Sequence, residues 1–228
     1  MQLVIGNKNY SSWSMRPWVL LKQFGLPFDE VMMRFDGFDA DSAFKRKMAA
    51  LSPVGKVPVL IDDDGFAVWD TLAIAETLAE KYLALALWPR DAKRRARARS
   101  LCAEMHSGFG ALRSHFAMNI EAALPAIGAR VLAERPDVRA DLARVIALWR
   151  QALADAGGPF LFGDYSIADA YYAPVVMRLR TYALPVPEDV AAYMERIVGS
   201  PGVAEWIKEA LEEKDFRAFE EPYRTSRD

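Results

Sequence analysis

The chain is poor in the residues from which disulfides and many metal sites are built. It contains one cysteine, Cys102, and two histidines among 228 residues. A single cysteine cannot form a disulfide within the chain, and it cannot complete a cysteine-based metal site. The composition therefore excludes both features. It also fits a reducing compartment, so we expect a cytoplasmic protein.

Long apolar runs and a surplus of one charge are also missing. No apolar run approaches the roughly 18 residues of a transmembrane helix. In residues 1–6 no basic segment precedes a long apolar core, so we expect no secretory signal. The net charge of −2 gives no electrostatic basis for binding nucleic acid or an anionic membrane. What is present is an ordinary composition, 52% hydrophobic and 26% charged, in a chain long enough to bury a core.

The first 83 residues alternate between strand and helix patterns. Apolar runs and period-two alternation predict strands at residues 3–5, 28–33, 57–61 and 66–69. Helical spacing predicts helices at residues 16–24, 41–51 and 71–82. A strand, a helix and a strand within about thirty residues form a βαβ unit, so the first two strands should be parallel. The turn Asp62-Asp63-Asp64-Gly65 predicts a hairpin between the last two strands.

Beyond residue 84 the pattern becomes helical. Residues 85–89 have the character of a linker that ends at Pro89, and no convincing strand follows. Proline and glycine separate predicted helices near residues 91–121, 125–134, 137–156, 167–182, 188–198 and 201–213. We therefore predict an α/β domain at residues 1–83 and an all-helical domain at residues 90–228.

Three serines lie between the first strand and the first helix: Ser11, Ser12 and Ser14. A helix N-terminus carries unpaired N–H groups and partial positive charge, so it favours an anion such as a thiolate. A shift of about two units in a thiol pKa, from ~8.5, corresponds to roughly 2.7 kcal/mol. The substrate would supply the sulfur. Taken by itself, the local sequence favours the alternative that these serines only cap the helix.

The stretch Ser11-Ser12-Trp13-Ser14-Met15-Arg16-Pro17-Trp18 resembles the Ser-Ser-Cys-x-Trp-Arg-x-Arg motif of zeta-class glutathione transferases. The resemblance implies a thioredoxin-like first domain in which Ser11 activates the glutathione sulfur, with Ser12 as a neighbouring contact. Trp13 replaces the cysteine of that class and Trp18 its second arginine. The first departure puts maleylacetoacetate isomerase activity in doubt. Tyr10 is a second candidate for activating the sulfur, because other classes use a tyrosine.

Two further segments match the glutathione pocket of this family. The resemblance implies that Val57, before a commonly cis Pro58, offers its backbone to the cysteinyl part of glutathione, with Lys56 beside it. It also implies that Asp70 and Thr71 hold the γ-glutamyl end, which carries an ammonium and a carboxylate. The alternatives are an edge-strand proline at Pro58 and a simple helix cap at residues 70–71.

The second domain carries a capping box and a candidate pocket for the second substrate. In residues 162–169, Ser166 and Asp169 stand at capping-box spacing, which is a folding signal that we expect to have no chemical role. The resemblance implies that the helix after the linker faces the glutathione sulfur. The residues expected at this pocket are Tyr10, Trp13, Met105, His106 and Phe109. Alternatively, the apolar residues of the helix after the linker belong to the hydrophobic core, and His106 is an interior or interface histidine.

The function that the resemblance implies is a glutathione transferase, active as a homodimer on a small electrophilic, apolar substrate. Glutathione would be the co-substrate, with no metal, nucleic acid or membrane involved. The alternatives are a glutathione-dependent isomerase and a non-enzymatic binding or interaction module. A thiol-disulfide reductase ranks last, since it ordinarily needs cysteine near Ser11. Aromatic residues beyond Lys214 suggest a tail that folds back over the second domain: Phe216, Phe219 and Tyr223.

Overall fold

A computed structural model describes residues 1–227 and shows a small mixed sheet with helices, followed by a helical domain. The elements of the first part are β1 (Gln2–Ile5), α1 (Ser12–Gln23), β2 (Asp29–Met32), α2 (Ala43–Ala49), β3 (Val59–Ile61), β4 (Ala67–Trp69) and α3 (Thr71–Lys81). Those of the second are α4 (Ala92–Ser107), α5 (Gly110–His115), α6 (Pro125–Glu134), α7 (Pro136–Ala156), α8 (Ile167–Thr181), α9 (Glu188–Val198), α10 (Pro201–Glu213) and a 3-10 helix (Ala218–Glu220). This confirms the predicted fold class.

The sheet has the order β2-β1-β3-β4. β1 and β2 are parallel, as the βαβ prediction requires, whereas β1–β3 and β3–β4 are antiparallel. The Val57-Pro58 peptide bond is cis and leads into β3. Because β3 lies between β1 and β4, the alternative of an edge-strand proline is wrong.

Helix α1 joins the two halves of the molecule, packing on α8 and α10 as well as on its own sheet. A Cβ at Gly202 would lie 2.4 Å from the carbonyl oxygen of Val19, so only glycine permits this approach of α10. Just before α1, the buried Lys8 pairs with Glu30 of β2 and Glu209 of α10. The loop that enters α1 is therefore fixed from both sides.

The predicted helix at residues 91–121 is wrong in its second half. α4 ends at Ser107, Gly108 caps it, and Phe109 adopts a left-handed backbone with φ of 55°. The chain restarts as the short α5 and then leaves helical structure at Phe116. The break turns the side chains beyond Gly108 away from the direction that one continuous helix would give them.

The predicted capping box of α8 is confirmed. Ser166 caps the helix, and the Asp169 side chain accepts the backbone N–H of Ser166 at 2.9 Å. Asp169 also reaches outside its own helix, to the Leu161 N–H and the Tyr193 hydroxyl, both at 3.1 Å. Among residues 1–227, no helix combines the length and apolar character needed to cross a bilayer.

Candidate functional site

The hydroxyl of Ser11 stands at the N-terminus of α1 and belongs to a pair. Ser11 is the N-cap residue, and its Oγ donates to Ser14 Oγ at 2.7 Å. Ser14 Oγ also accepts the backbone N–H of Gly6 at 3.1 Å. Ser14 therefore lies behind Ser11 as a support anchored to the end of β1, and Ser11 is the outer member of the pair.

Ser12 has a charged partner from the helical domain. Arg178 of α8 donates from Nη2 to Ser12 Oγ at 3.0 Å and from Nη1 to the carbonyl oxygen of Phe116. Burial lowers the pKa of Arg178 to about 10, so the guanidinium is protonated at neutral pH. A hydroxyl that accepts from a cation is a better donor through its own proton. The second domain thus polarises Ser12 from a distance of 166 residues along the chain.

The Tyr10 hydroxyl is turned away from these serines. It donates to Glu221 at 2.7 Å and accepts the Arg217 N–H at 3.2 Å. Burial and the bond to Glu221 raise the pKa of Tyr10 to about 12. A tyrosine that activates a thiol would need a free hydroxyl aimed at the sulfur. The ring of Tyr10 nevertheless lines the same cavity as Ser11 and Ser12.

That cavity has a volume of about 420 Å³ and lies between the two halves of the molecule. Its apolar lining includes the rings of Phe35, Phe38 and Phe44 and the side chain of Met118. Its charged lining consists of four cations and one acid: Lys45, Lys56, Arg113, Arg178 and Glu220.

A second cavity of about 460 Å³ adjoins the first, and Trp13, Lys56 and Val57 line both. The second cavity also contains Pro58, Asp70, Thr71 and His106. The predicted glutathione residues therefore all line these two adjoining cavities, which we call the cleft. Met105 and Phe109 are instead buried in the hydrophobic core, 1% and 6% exposed, and neither is among the described lining residues. The helix break at Gly108 accounts for the position of Phe109.

Asp70 marks the far end of the cleft. It adopts a left-handed backbone with φ of 73°, a conformation concentrated at functional sites in residues other than glycine. Its Oδ1 caps α3 by accepting the Leu72 N–H at 2.8 Å, while Oδ2 lies 3.2 Å from Nε2 of His106. The Asp70 side chain is 44% exposed, so a ligand in the cleft has access to this carboxylate.

Thr71 lines the cleft, but its hydroxyl is engaged within the protein. Its hydroxyl shares a hydrogen bond of 2.6 Å with the Tyr171 hydroxyl, and Tyr171 in turn lies 3.2 Å from Nδ1 of His106. Because this bond engages the Thr71 hydroxyl, the backbone N–H groups that open α3 are the better groups for a ligand carboxylate.

Arg16 is a buried cation that sequence reasoning did not assign to the site. Its guanidinium lies between the rings of Trp13 and Tyr171, at 4.2 and 4.4 Å from their centroids. Burial lowers its pKa to about 10, which leaves it charged at neutral pH. The cation–π contact with Arg16 restrains the Trp13 ring, which lines both cavities.

The sequence analysis also missed Arg113, Arg178 and Glu220, which line the first cavity. Each comes from the helical domain or the tail, more than 90 residues beyond the serine cluster. No local motif surrounds any of them. Only the expectation of a tail folded back onto the molecule pointed toward Glu220.

Comparison with known proteins gives matches over both halves. The chain matches the family model of the glutathione S-transferase N-terminal domain at residues 10–81, and that of the C-terminal domain at residues 95–209. A glutathione transferase homologue from Burkholderia gl BGR1, solved with bound glutathione, is 28% identical with a TM-score of 0.67. That match covers 92% of this chain and 97% of the homologue.

Two further solved structures share the fold. A glutathione transferase from Methylococcus capsulatus str. Bath is 24% identical, with a TM-score of 0.66 and coverage of 92% and 98% of the two chains. Maleyl pyruvate isomerase, a bacterial zeta-class enzyme, is 23% identical, with a TM-score of 0.68 and the same coverage.

Proposed function

This chain belongs to the glutathione S-transferase family, and we propose that it is an enzyme that binds reduced glutathione and activates its thiol. The observation that supports the proposal is the cleft formed by the two adjoining cavities. One end presents the Ser11 and Ser12 hydroxyls at a helix N-terminus, and the other presents Asp70 and the start of α3. These groups suit the thiolate and the γ-glutamyl end of a single extended tripeptide.

The γ-glutamyl end would lie against α3. Its ammonium would pair with the Asp70 carboxylate, and its carboxylate would accept the backbone N–H groups that open the helix. The cysteinyl backbone would then pass Val57, beside the cis Pro58, since this residue lines both cavities. Lys56 lies next to the same point and offers a positive charge to this anionic tripeptide.

The sulfur would lie at the start of α1. Ser14 O–H would turn to donate to Ser11 Oγ, which frees the Ser11 proton to donate to the thiolate. Ser12, polarised by Arg178, would add a second donor. Donors that form their bonds only with the ionised sulfur lower its pKa and raise the thiolate fraction at neutral pH.

The electrophile would occupy the first cavity. Three phenylalanine rings suit a small apolar body, and Arg113 and Arg178 suit a polar or anionic substituent. The thiolate would displace a leaving group or add to an unsaturated carbon, with the rate gained from thiolate stabilisation and from the proximity of two bound reactants. A glutathione-dependent isomerase would use the same groups, adding the thiolate and expelling it again. The homodimer, the cytoplasmic location and the domain limits at residues 83 and 90 remain predictions.

Calorimetry with reduced glutathione and turnover of a generic aryl halide test this function. We expect saturable binding and conjugation by the wild type. Asp70→Asn should raise the dissociation constant of glutathione about tenfold with little change in kcat, because the ion pair to the ammonium weakens equally in ground and transition states. Asparagine keeps the N-cap hydrogen bond of α3, so the helix start should remain intact.

Asp91→Asn is the matched control, because Asp91 caps α4 through a 2.8 Å bond from the Arg94 N–H but lies outside the cleft. This variant should bind like the wild type. Absence of glutathione binding by the wild type would refute the proposal. Binding without turnover of an aryl halide or a cis-unsaturated acid would instead identify a binding module.

A further inference from the structure

The segment after α10 is tied down by one buried carboxylate. Glu221 is 6% exposed and accepts the Tyr10 hydroxyl at 2.7 Å, the Asn119 side chain at 2.8 Å and Arg224 at 2.5 Å. These partners belong to the loop before α1, the segment after α5 and the tail itself. Residues next to Glu221 are therefore held in a defined position.

Glu220, the preceding residue, forms part of the wall of the first cavity, together with Ser11, Ser12 and Arg178. On its other side, Phe219 packs edge-on against Phe38 of the first half, with ring centroids 5.3 Å apart. This contact joins the tail to the loop after β2. Two contacts of its neighbours thus position Glu220 at the cavity wall: the hydrogen bonds of Glu221 and the ring contact of Phe219 with Phe38.

Glu220 is the only acid among the described residues that line this cavity. The groups that face it are cations from three elements (Lys45 of α2, Arg113 of α5 and Arg178 of α8), Lys56 of the loop before β3, and Glu221 of the tail. Burial raises the pKa of Glu220 to about 7, Arg178 opposes the rise and Glu221 adds to it. Near neutral pH the carboxyl therefore exists in both protonation states.

Within residues 1–227, the other groups that line this cavity are less suited to supply a proton there. The Tyr10 hydroxyl donates to Glu221, and the proposed function commits the protons of Ser11 and Ser12 to the sulfur. Lys45, Arg113 and Arg178 already donate hydrogen bonds to other groups of the protein. Among the described lining residues, Glu220 is then the group with a suitable proton.

We propose that Glu220 donates a proton to the carbonyl oxygen of an α,β-unsaturated acceptor as the glutathione thiolate adds to its double bond. The proposal rests on the proposed function. The sulfur forms a bond to the β-carbon, the π electron pair shifts onto the carbonyl oxygen, and the Glu220 carboxylic acid protonates that oxygen to an enol. The enol tautomerises to the conjugate, and solvent reprotonates the carboxylate. In reverse, the carboxylate takes the enol proton back as the thiolate leaves, which permits isomerisation about the former double bond.

Two acceptor substrates distinguish proton donation by Glu220 from a general effect of Glu220 on activity. An aryl halide reacts by substitution, in which chloride leaves with its electron pair and no proton is delivered to the acceptor. An enone such as 4-phenylbut-3-en-2-one reacts by addition and needs the proton. Glu220→Gln should lower kcat/KM for the enone about a hundredfold at pH 6.5 and change that for the aryl halide less than threefold.

The kcat/KM for the enone divided by the kcat/KM for the aryl halide is measured against pH. Both reactions use the same thiolate, so the ionisation of the thiol cancels in this ratio. In the wild type this ratio should fall as pH rises through about 7, where Glu220 loses its proton. In Glu220→Gln the ratio should be flat, and Glu220→Asp should recover part of both rate and slope. Glu212→Gln, an exposed charge-matched change on α10, should behave as wild type.

An equal loss with both acceptors, or a pH-dependent ratio in Glu220→Gln, would overturn the proposal. If the wild type turned over neither acceptor, the transferase function itself would fail. Thermal unfolding and glutathione affinity of each variant show whether the tail and the cleft have stayed intact.

Discussion

Ser11→Ala is expected to lower turnover of an aryl halide about fiftyfold at pH 6.5 and to approach the wild-type rate above pH 9. If Ser11 lowers the thiol pKa by about two units from ~8.5, half the bound glutathione is thiolate at pH 6.5. Without the hydroxyl, about one hundredth of the bound glutathione is thiolate at this pH. The difference closes once pH exceeds both pKa values. A pH–rate profile of kcat/KM measures this directly.

The N-cap role of Ser11 complicates this test, since alanine at an N-cap destabilises a helix by about 1 kcal/mol. Ser11→Gly removes the hydroxyl at a smaller capping cost, so it should show the same pH profile with less change in thermal unfolding. Ser12→Ala should cause a smaller loss, because it removes the second donor only. If the losses of Ser11→Ala and Ser12→Ala were reversed, the main donor would be Ser12, paired with Arg178.

Asp169→Ala should destabilise the fold by about 3–5 kcal/mol, because it leaves buried donors without their acceptor. The fully buried carboxylate accepts four hydrogen bonds, from the Leu161 and Ser166 N–H groups and from the Ser166 and Tyr193 hydroxyls. It thereby ties the start of α8 to the preceding loop and to α9. Chemical denaturation at neutral pH measures the loss. Asp91→Ala, an exposed cap with one bond from a backbone N–H, should lose only about 1 kcal/mol.

The free energy of unfolding should depend on pH through the carboxyl group of Asp169. Burial raises the pKa of Asp169 to about 6 in the folded protein, above its unfolded value of ~3.9. As pH rises, the unfolded state therefore loses this proton at a lower pH than the folded state does. The stabilisation from the protonated form is complete below about pH 4 and is lost as pH rises through about 6. Measured from pH 4 to 7.5, the free energy of unfolding of wild type minus that of Asp169→Asn should fall by about 2–3 kcal/mol. A pH-independent difference would contradict the buried ionisation.

The reliable sequence predictions were those that depend on neighbouring residues. The helix at residues 71–82 starts at Thr71 as predicted and ends one residue early, because its cap and its apolar spacing are both local. The capping box of Ser166 and Asp169 is local in the same way. The prediction of one helix through residue 121 was wrong because it gave no weight to Gly108 and Gly110 as local stop signals. The helix ends at Gly108, and the left-handed backbone of Phe109 completes the break.

The residues of the candidate site also fall into two groups, those that the sequence indicated and those that only the fold brings to the site. The resemblance to glutathione transferases pointed to Ser11, Val57, Pro58 and Asp70, and each stands at a strand end or a helix start that short-range patterns also indicate. The sequence by itself determined the α/β-then-helical order and the anion-favouring helix start, because the same short-range patterns indicate both. Only the tertiary structure decided that Arg178 bonds Ser12, that Tyr10 is committed to Glu221, and that Glu220 closes the cavity wall. Those contacts join residues more than 160 positions apart. They exist because α1 packs against α8 and α10, an arrangement of buried surfaces that no local pattern encodes.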